Sequence, residues 1–363
     1  MKVLMVHSQM ALYGGAEIVI VRLAKYLQTK GHVVAIVTLS TANHSEYNDL
    51  DIRVPDKQIQ YRLRGSLSAL SQIRKMYWEL KSLCNKYAQD FDVINIHNFP
   101  AIWTTPKKPV VWMCNEIPDL YHNQNIPSWF NPLLNSGRWL DRMIVRSKHS
   151  VAVVADSRMA ILFKHRYQFE PIVIPYGIDI FEVDNSNLDS KTFKIICPSM
   201  ISPSKNQLEV LQAIAGMKNV QLILAGYYEE NHPYTKLLRK FIAENNLDVI
   251  WTGMLSRLEL IRTCTNVGVA VFMGRGQGSW LGPFEQLSIG IPVIVSPNLT
   301  CSSLIKEAEL GTVTNNLTET LLRMQLNYKS YKSQALRSQQ WVKQNLTWNN
   351  FCQRFEELLC QVK

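Results

Sequence analysis

No run of eighteen or more uncharged apolar residues occurs in this 363-residue sequence, so no membrane-spanning helix is expected. The N-terminal segment Met1-Lys2-Val3-Leu4-Met5-Val6 lacks the longer apolar core and small-residue cleavage site of a secretion signal, and reads as a first buried strand. Cysteine is sparse and unpaired in pattern. Cys84, Cys114, Cys197, Cys264, Cys301, Cys352 and Cys360 make an odd number with no CxxC, which excludes a fully paired disulfide framework. Reduced, buried thiols in a cytoplasmic protein are expected. No Cys/His cluster has metal-ligand spacing, so no metal is expected. The net charge is +10, from 39 Lys and Arg against 29 Asp and Glu, yet no basic low-complexity tail or nucleic-acid motif accompanies it. Nucleic acid is therefore not an expected partner, and the excess points to phosphorylated substrates or an anionic membrane face.

What is present describes a soluble globular chain: 47% hydrophobic and 19% charged residues, long enough for two domains. Apolar runs with the length of buried strands alternate with helical periodicity. Residues 2–6 read as a strand, and Ile18 to Leu27 as a helix ended by Gly31. Val33 to Leu39 is a second strand, and 40–60 is irregular. Leu67 to Leu83 marks an amphipathic helix, followed by strands Asp92 to His97 and Pro109 to Met113. A helix from about Trp129 to Val145 precedes the strand Val151 to Ala155, and Asp156 caps a helix to about Tyr167. After the short strand at 172–175, a polar stretch at 180–192 marks a domain boundary, beyond which the alternation repeats from Phe193. Two successive sets of this kind predict two doubly wound parallel-sheet α/β domains, with ligands in a cleft at the carboxyl edges of the strands.

The stretch Gly274 to Ser296 (GRGQGSWLGPFEQLSIGIPVIVS) follows the buried run Val267 to Phe272. It reads as a loop with four glycines, a short helical turn opened by Glu285 and ended by Gly290, and another buried strand. Bare backbone followed by a carboxylate suits the reading of ribose or polyol hydroxyls; the alternative is a glycine-rich turn with a solvated glutamate. Near the N-terminus, Gly14-Gly15-Ala16-Glu17 opens a helix. Paired glycines there let a diphosphate approach backbone N–H groups at the positive helix end, the alternative being a tight helix entry. The pattern is not GxGxxG, so a dinucleotide fingerprint is absent. Two strands ending in His97 and in Asn115-Glu116 put polar groups on the ligand-facing edge.

Taken together these motifs resemble the GT-B glycosyltransferases, specifically the retaining family 4, or group 1, transferases. Gly14-Gly15-Ala16-Glu17 is similar to the family's GGxE loop. Asp92-Val93-Ile94-Asn95-Ile96-His97 resembles its D-V-I-H-x-H strand. Ile174-Pro175-Tyr176-Gly177-Ile178-Asp179 resembles V-x-P-N-G-V-D, and Gln277 to Pro292 resembles E-G-x-G-x-x-x-L-E-x-x-x-x-G-x-P. There are departures. Gln277 replaces the first of two glutamates, Glu285 being the second. Ser199-Met200 stands where Gly-Arg is usual, although Lys205 matches the family's lysine. Asn115 stands where a histidine is frequent.

The resemblance implies an acceptor-side domain over 1–179, a nucleotide-sugar domain over 180–345, and a terminal helix at about 346–363 packing back on the first domain. It implies a retaining, metal-independent hexosyl transfer from a nucleotide sugar to a glycan, a lipid-linked or another hydroxyl acceptor, in polysaccharide or glycoconjugate assembly. No cofactor is implied. The catalytic residues it implies are His97, Lys205 and Glu285. Gly14, Gly15, Met200, Lys205, Gln277, Gly278, Ser279, Trp280, Leu281 and Glu285 fall on the donor; Glu17, His97, Asn115 and Glu116 fall on the acceptor side. Lys205 would neutralise the departing diphosphate, and Glu285 would accept the ribose hydroxyls. Arg257, Arg262 and Arg275 are candidates to replace the missing arginine at Met200, or are surface arginines. The basic helices at 67–86 and 138–148 are either solvated faces or a docking surface for anionic lipid, which would place the protein peripherally on the inner membrane face. The losses at 277 and 200 leave a second reading, a non-catalytic nucleotide- or glycan-binding relative of the same fold.

Overall fold

The computed structural model describes all residues except 12, 13, 61–65, 119–130, 182–191, 277 and 279. The chain divides into two compact units, Met1–Gly177 with Trp348–Lys363, and Ile178–Thr347.

In the first unit the described elements run β1 (Lys2–His7), α1 (Gly15–Thr29), β2 (Val33–Val37), β3 (Asp51–Arg53), α2 (Ser66–Tyr87), β4 (Val93–His97), β5 (Val110–Met113), α3 (Asn131–Ser147), β6 (Val151–Val154), α4 (Ser157–Tyr167) and β7 (Ile172–Val173). The strands form one parallel sheet in the order β3-β2-β1-β4-β5-β6-β7. Apart from the exposed Lys2 at the start of β1, its central strands are buried along their length, which is why they read as near-continuous apolar runs rather than alternating ones. Asp156 caps α4 as the sequence predicts, its carboxylate accepting from the Met159 N–H at 2.7 Å. The edge strand β3 falls in the segment expected to be irregular. It is three residues long with two acid or basic members, too short and polar for periodicity to register.

The second unit contains β8 (Phe193–Pro198), α5 (Gln207–Ile214), β9 (Val220–Ala225), α6 (Pro233–Glu244), β10 (Val249–Gly253), α7 (Arg257–Thr263), β11 (Val269–Phe272), α8 (Leu281–Ser288), β12 (Val293–Val295), α9 (Ser302–Glu307), β13 (Thr312–Val313), α10 (Leu317–Leu326) and α11 (Tyr328–Asn345). Its sheet is also parallel, ordered β10-β9-β8-β11-β12-β13. Both units are thus Rossmann-like. The last helix, α12 (Trp348–Val362), belongs to the first unit. Phe351, Cys352, Phe355, Leu358 and Leu359 recur at helical spacing and are buried. Its polar residues also reach that unit: Glu356 meets His32 at 2.7 Å, and Arg354 donates to the Val173 carbonyl at 2.9 Å.

Among the described residues no helix is long and apolar enough to cross a membrane. Six of the seven cysteines are buried free thiols; Cys360, expected inside, is exposed.

Candidate functional site

The first unit gathers its polar residues at the carboxyl edge of the sheet. His7 ends β1 and stands in register with His97 at the end of β4. The two imidazoles meet edge to face, centroids 6.5 Å apart. Facing the His97 carbonyl at 3.4 Å, His7 Nδ1 must carry a hydrogen, because a carbonyl only accepts. His7 Nε2 lies 3.4 Å from Glu17 Oε1. The other Glu17 oxygen accepts the Gly14 N–H at 3.1 Å, tying the start of α1 to its third residue. The Gly14 amide, expected to face a diphosphate, is therefore engaged by Glu17 in this structure, and Gly15 is the exposed glycine of the pair.

His97 itself is wholly buried. Asn95 Nδ2 donates to the Val111 carbonyl at 3.1 Å, which fixes the amide so that its oxygen faces His97 Nε2 at 2.8 Å. The ring proton accordingly sits on Nε2, and Nδ1 keeps a lone pair with no partner among the described residues. Burial first, and His7 second, push the His97 pKa well below the ordinary histidine value, so the ring is neutral near pH 7. Asn115, two residues beyond β5, accepts from the Tyr176 hydroxyl, and its buried Nδ2 has no partner among the described residues. Glu116 is exposed beside it, and its carbonyl accepts from the Cys114 thiol at 3.4 Å.

The second unit builds its site on the loops after β8 and β11. Ser199 and Met200 are held by Gln207 of α5, whose Nε2 donates to Ser199 Oγ at 3.2 Å and to the Met200 carbonyl at 3.0 Å. The end of β9 presses on this loop: a Cβ at Gly226 would lie 2.2 Å from the Ser199 carbonyl oxygen, so only glycine fits. Met200 is half exposed. The two loops are tied together, the Arg275 N–H donating to the Ser204 carbonyl at 2.9 Å. Lys205 Nζ lies 3.3 Å from where a Cβ on Gly278 would stand, so glycine lets the ammonium approach the loop backbone. Lys205 and Gly278, expected on the same ligand, are thus neighbours. Gln277 and Ser279 lie outside the described residues.

Helix α8 begins at Leu281, four residues earlier than expected, so Glu285 sits in its second turn instead of opening it. Pro283 falls in the first turn, where its missing N–H costs no bond. Trp280 precedes the helix as its N-cap residue and makes no side-chain cap hydrogen bond. The Trp280 ring is buried against Phe284, centroids 4.5 Å apart, so its side chain serves the core. Glu285 Oε1 accepts from Arg257 Nη2 at 2.6 Å, and Arg257 Nη1 reaches Asp179 Oδ2 at 2.5 Å. The guanidinium also lies over the Phe181 ring, 5.2 Å from its centroid. Burial raises the Glu285 pKa; Arg257 pulls it down and Asp179 pushes it up. Arg257 is therefore committed to two carboxylates and is not the free phosphate-binding arginine the sequence allowed. Arg275 is exposed on the loop that carries Gly278. Sequence reasoning missed His7, the Asn95 amide and the pairing of Arg257 with Glu285. The equal spacing of His7 and His97 at the ends of two adjacent buried strands was the one available signal.

Comparison with known proteins matches residues 13–181 to the family described as Glycosyltransferase Family 4, and residues 180–327 to that described as Glycosyl transferases group 1. No curated protein sequence matches the chain. Among solved structures it is similar to sucrose-phosphate synthase from Thermosynechococcus elongatus, with TM-score 0.80 and 14% identity over 99% of this chain and 98% of that one. HepE of Anabaena in complex with UDP-glucose superposes with TM-score 0.76 and 16% identity, over 99% of both chains. WaaG, a glycosyltransferase involved in lipopolysaccharide biosynthesis, gives TM-score 0.76 and 13% identity over 98% of this chain and 99% of that one.

Proposed function

The chain belongs to the group 1 glycosyltransferases of family 4, and on that premise we propose a retaining, metal-independent hexosyltransferase that uses a nucleotide sugar. One observation carries the reading: Lys205, Gly278 and the start of α8 stand together on two tied loops, with the Glu285 carboxylate one turn further along the helix. A cation and the N–H groups of a helix start suit a diphosphate; a half-buried carboxylate suits the ribose hydroxyls. The Anabaena relative binds UDP-glucose, which makes UDP-hexoses the first donors to try.

In the proposed reaction the bond between the anomeric carbon and the diphosphate oxygen breaks as the acceptor oxygen approaches the same face. The acceptor proton passes to the leaving phosphate oxygen, so no protein nucleophile is needed. Lys205 and the α8 amides stabilise the charge that builds on the diphosphate, the largest contribution a preorganised site makes. Arg275 supplies the positive charge missing at Met200. In the first unit, Glu17, Asn115 and Glu116 serve a glycan or lipid-linked acceptor, and the neutral His97 offers only its Nδ1 lone pair. The exposed Trp139, Leu140 and Met143 of α3, beside Arg138 and Arg146, support a peripheral place on an anionic membrane.

Thermal-shift titration with UDP-glucose, UDP-galactose and the GDP and ADP sugars tests the donor. A ligand at 100 times its dissociation constant stabilises by about 2.7 kcal/mol. Lys205→Ala and Glu285→Ala are expected to abolish that shift while leaving the unliganded melting temperature nearly unchanged. No shift with any nucleotide sugar, or shifts unaffected by both substitutions, would leave the non-catalytic reading standing.

A further inference from the structure

The Glu285 carboxylate, as the ribose-reading group, has an odd environment for a hydroxyl acceptor. One of its oxygens is already taken. Arg257 Nη2 lies 2.6 Å from Oε1, while Oε2 has no partner among the described residues. Arg257 is in turn anchored twice, by Asp179 Oδ2 at 2.5 Å and by the Phe181 ring beneath it. It rises from the first residue of α7, whose start is fixed by a capping box between Ser256 and Glu259. Arg257 and Glu285 line a small pocket together with Leu260, Ile261, Cys264 and Ile289. A guanidinium with two carboxylates and a ring around it has little freedom to move.

We propose that Arg257 is a positioning residue for donor binding: held by Asp179 and Phe181, it fixes the Glu285 carboxylate through Oε1 and presents Oε2 as the one oxygen that accepts from the nucleotide ribose. This rests on Glu285 being the ribose-reading group. The arrangement has two consequences. The carboxylate cannot rotate to offer both oxygens, so the geometry of the hydroxyl pair it accepts is restricted. Burial, with Asp179 behind it, raises the pKa of the carboxylate, and Arg257 opposes that rise. Among the described residues, the charged and titratable groups around it are Arg257 at the start of α7, Cys264 just after α7, and Asp179 after β7. The Cys264 thiol is pushed up to about 12 by burial and bonds the Gln286 amide oxygen, so it stays uncharged.

The sign of the pH effect follows. Ribose binding needs the carboxylate, so it is present above the Glu285 pKa and is lost as pH falls through it. Removing Arg257 removes the pull downward, and the binding midpoint moves up. Replacing Asp179 by Asn removes the push upward, and the midpoint moves down.

The test is calorimetric binding of whichever of UDP, GDP and ADP the wild-type chain takes best, between pH 4.5 and 8. Arg257→Gln is expected to weaken binding by about 10- to 100-fold at pH 6, the range for a lost bond to a charged group, and to shift the midpoint upward. Arg257→Lys restores part of both. Glu285→Gln removes the midpoint altogether, and adding Arg257→Gln to it costs nothing further. A side chain with a purely structural role would lower the melting temperature without moving the pH midpoint. The inference is overturned if Arg257→Gln binds with wild-type affinity and midpoint, or if the two substitutions weaken binding additively; the donor reading survives either result. If the wild-type chain binds none of the three nucleotides, the donor reading falls and takes this inference with it.

Discussion

Asp141 shows what a single residue decides in the first unit. Its carboxylate is almost wholly buried on α3, where it accepts from Trp103 Nε1 at 2.8 Å, Arg166 Nη2 at 2.9 Å and the Tyr167 hydroxyl at 3.0 Å. Trp103 follows β4, and Arg166 and Tyr167 close α4, so one side chain joins three parts of the unit. Its removal leaves a half-buried guanidinium and two further donors unpaired. Asp141→Ala is expected to lower stability by about 3–5 kcal/mol, read by urea denaturation, whereas an exposed carboxylate such as Asp49 changes it little. The residue-level chemistry of the candidate sites was only partly legible. Glu285 and Lys205 stand in a motif that sequence spacing reveals. The Asn95–His97 bond and the Arg257–Glu285 pair join side chains whose mutual orientation no spacing encodes. Gly14 illustrates the same limit: two glycines at a helix start invite an anion, but the Glu17 carboxylate three residues on takes the Gly14 amide.

At the scale of elements, buried parallel strands were the clearest signal, because a run such as Val-Val-Ala-Ile-Val at 33–37 has no polar face to hide. The two- and three-residue edge strands β3 and β13 escaped it, their residues being half-buried or exposed. The start of α8 was also missed, since Gly282-Pro283 reads as a loop unless the proline is recognised as a first-turn residue. Helix α3 carries a different kind of information. Trp139, Leu140 and Met143 are 59%, 50% and 52% exposed, and Asp141, the one acidic residue on the helix, faces inward. Arg142 is tied to the Arg166 carbonyl and Lys148 to that of Thr105, so of the basic residues expected to meet lipid those two are occupied within the fold. Arg146 stays exposed on α3, with Arg74, Lys75 and Lys86 on α2. Co-sedimentation with vesicles containing phosphatidylglycerol is expected for the wild-type chain and to fall at least tenfold in Trp139→Ser with Arg146→Glu. Each basic residue near such a surface contributes about 1 kcal/mol. Equal sedimentation of variant and wild type would remove α3 from the membrane proposal.

For the whole molecule, composition and alternation of elements were enough to predict two doubly wound α/β domains, and both sheets are parallel throughout their described strands. The net charge of +10 is not a property of fold; it bears on partners, and phosphate-bearing donors and anionic lipid both answer to it. Chemistry at this scale is a matter of which bond is made on which face of the sugar. The stereochemistry of the product tests retaining transfer most directly. The wild-type chain is incubated with a UDP-α-hexose that stabilises it and with a hydroxyl acceptor, and the anomeric proton of the product is followed by NMR from the first turnover. An α-linked product appearing in step with free UDP is the expected result. A β-linked product, or no release of UDP from any nucleotide sugar that binds, would contradict it.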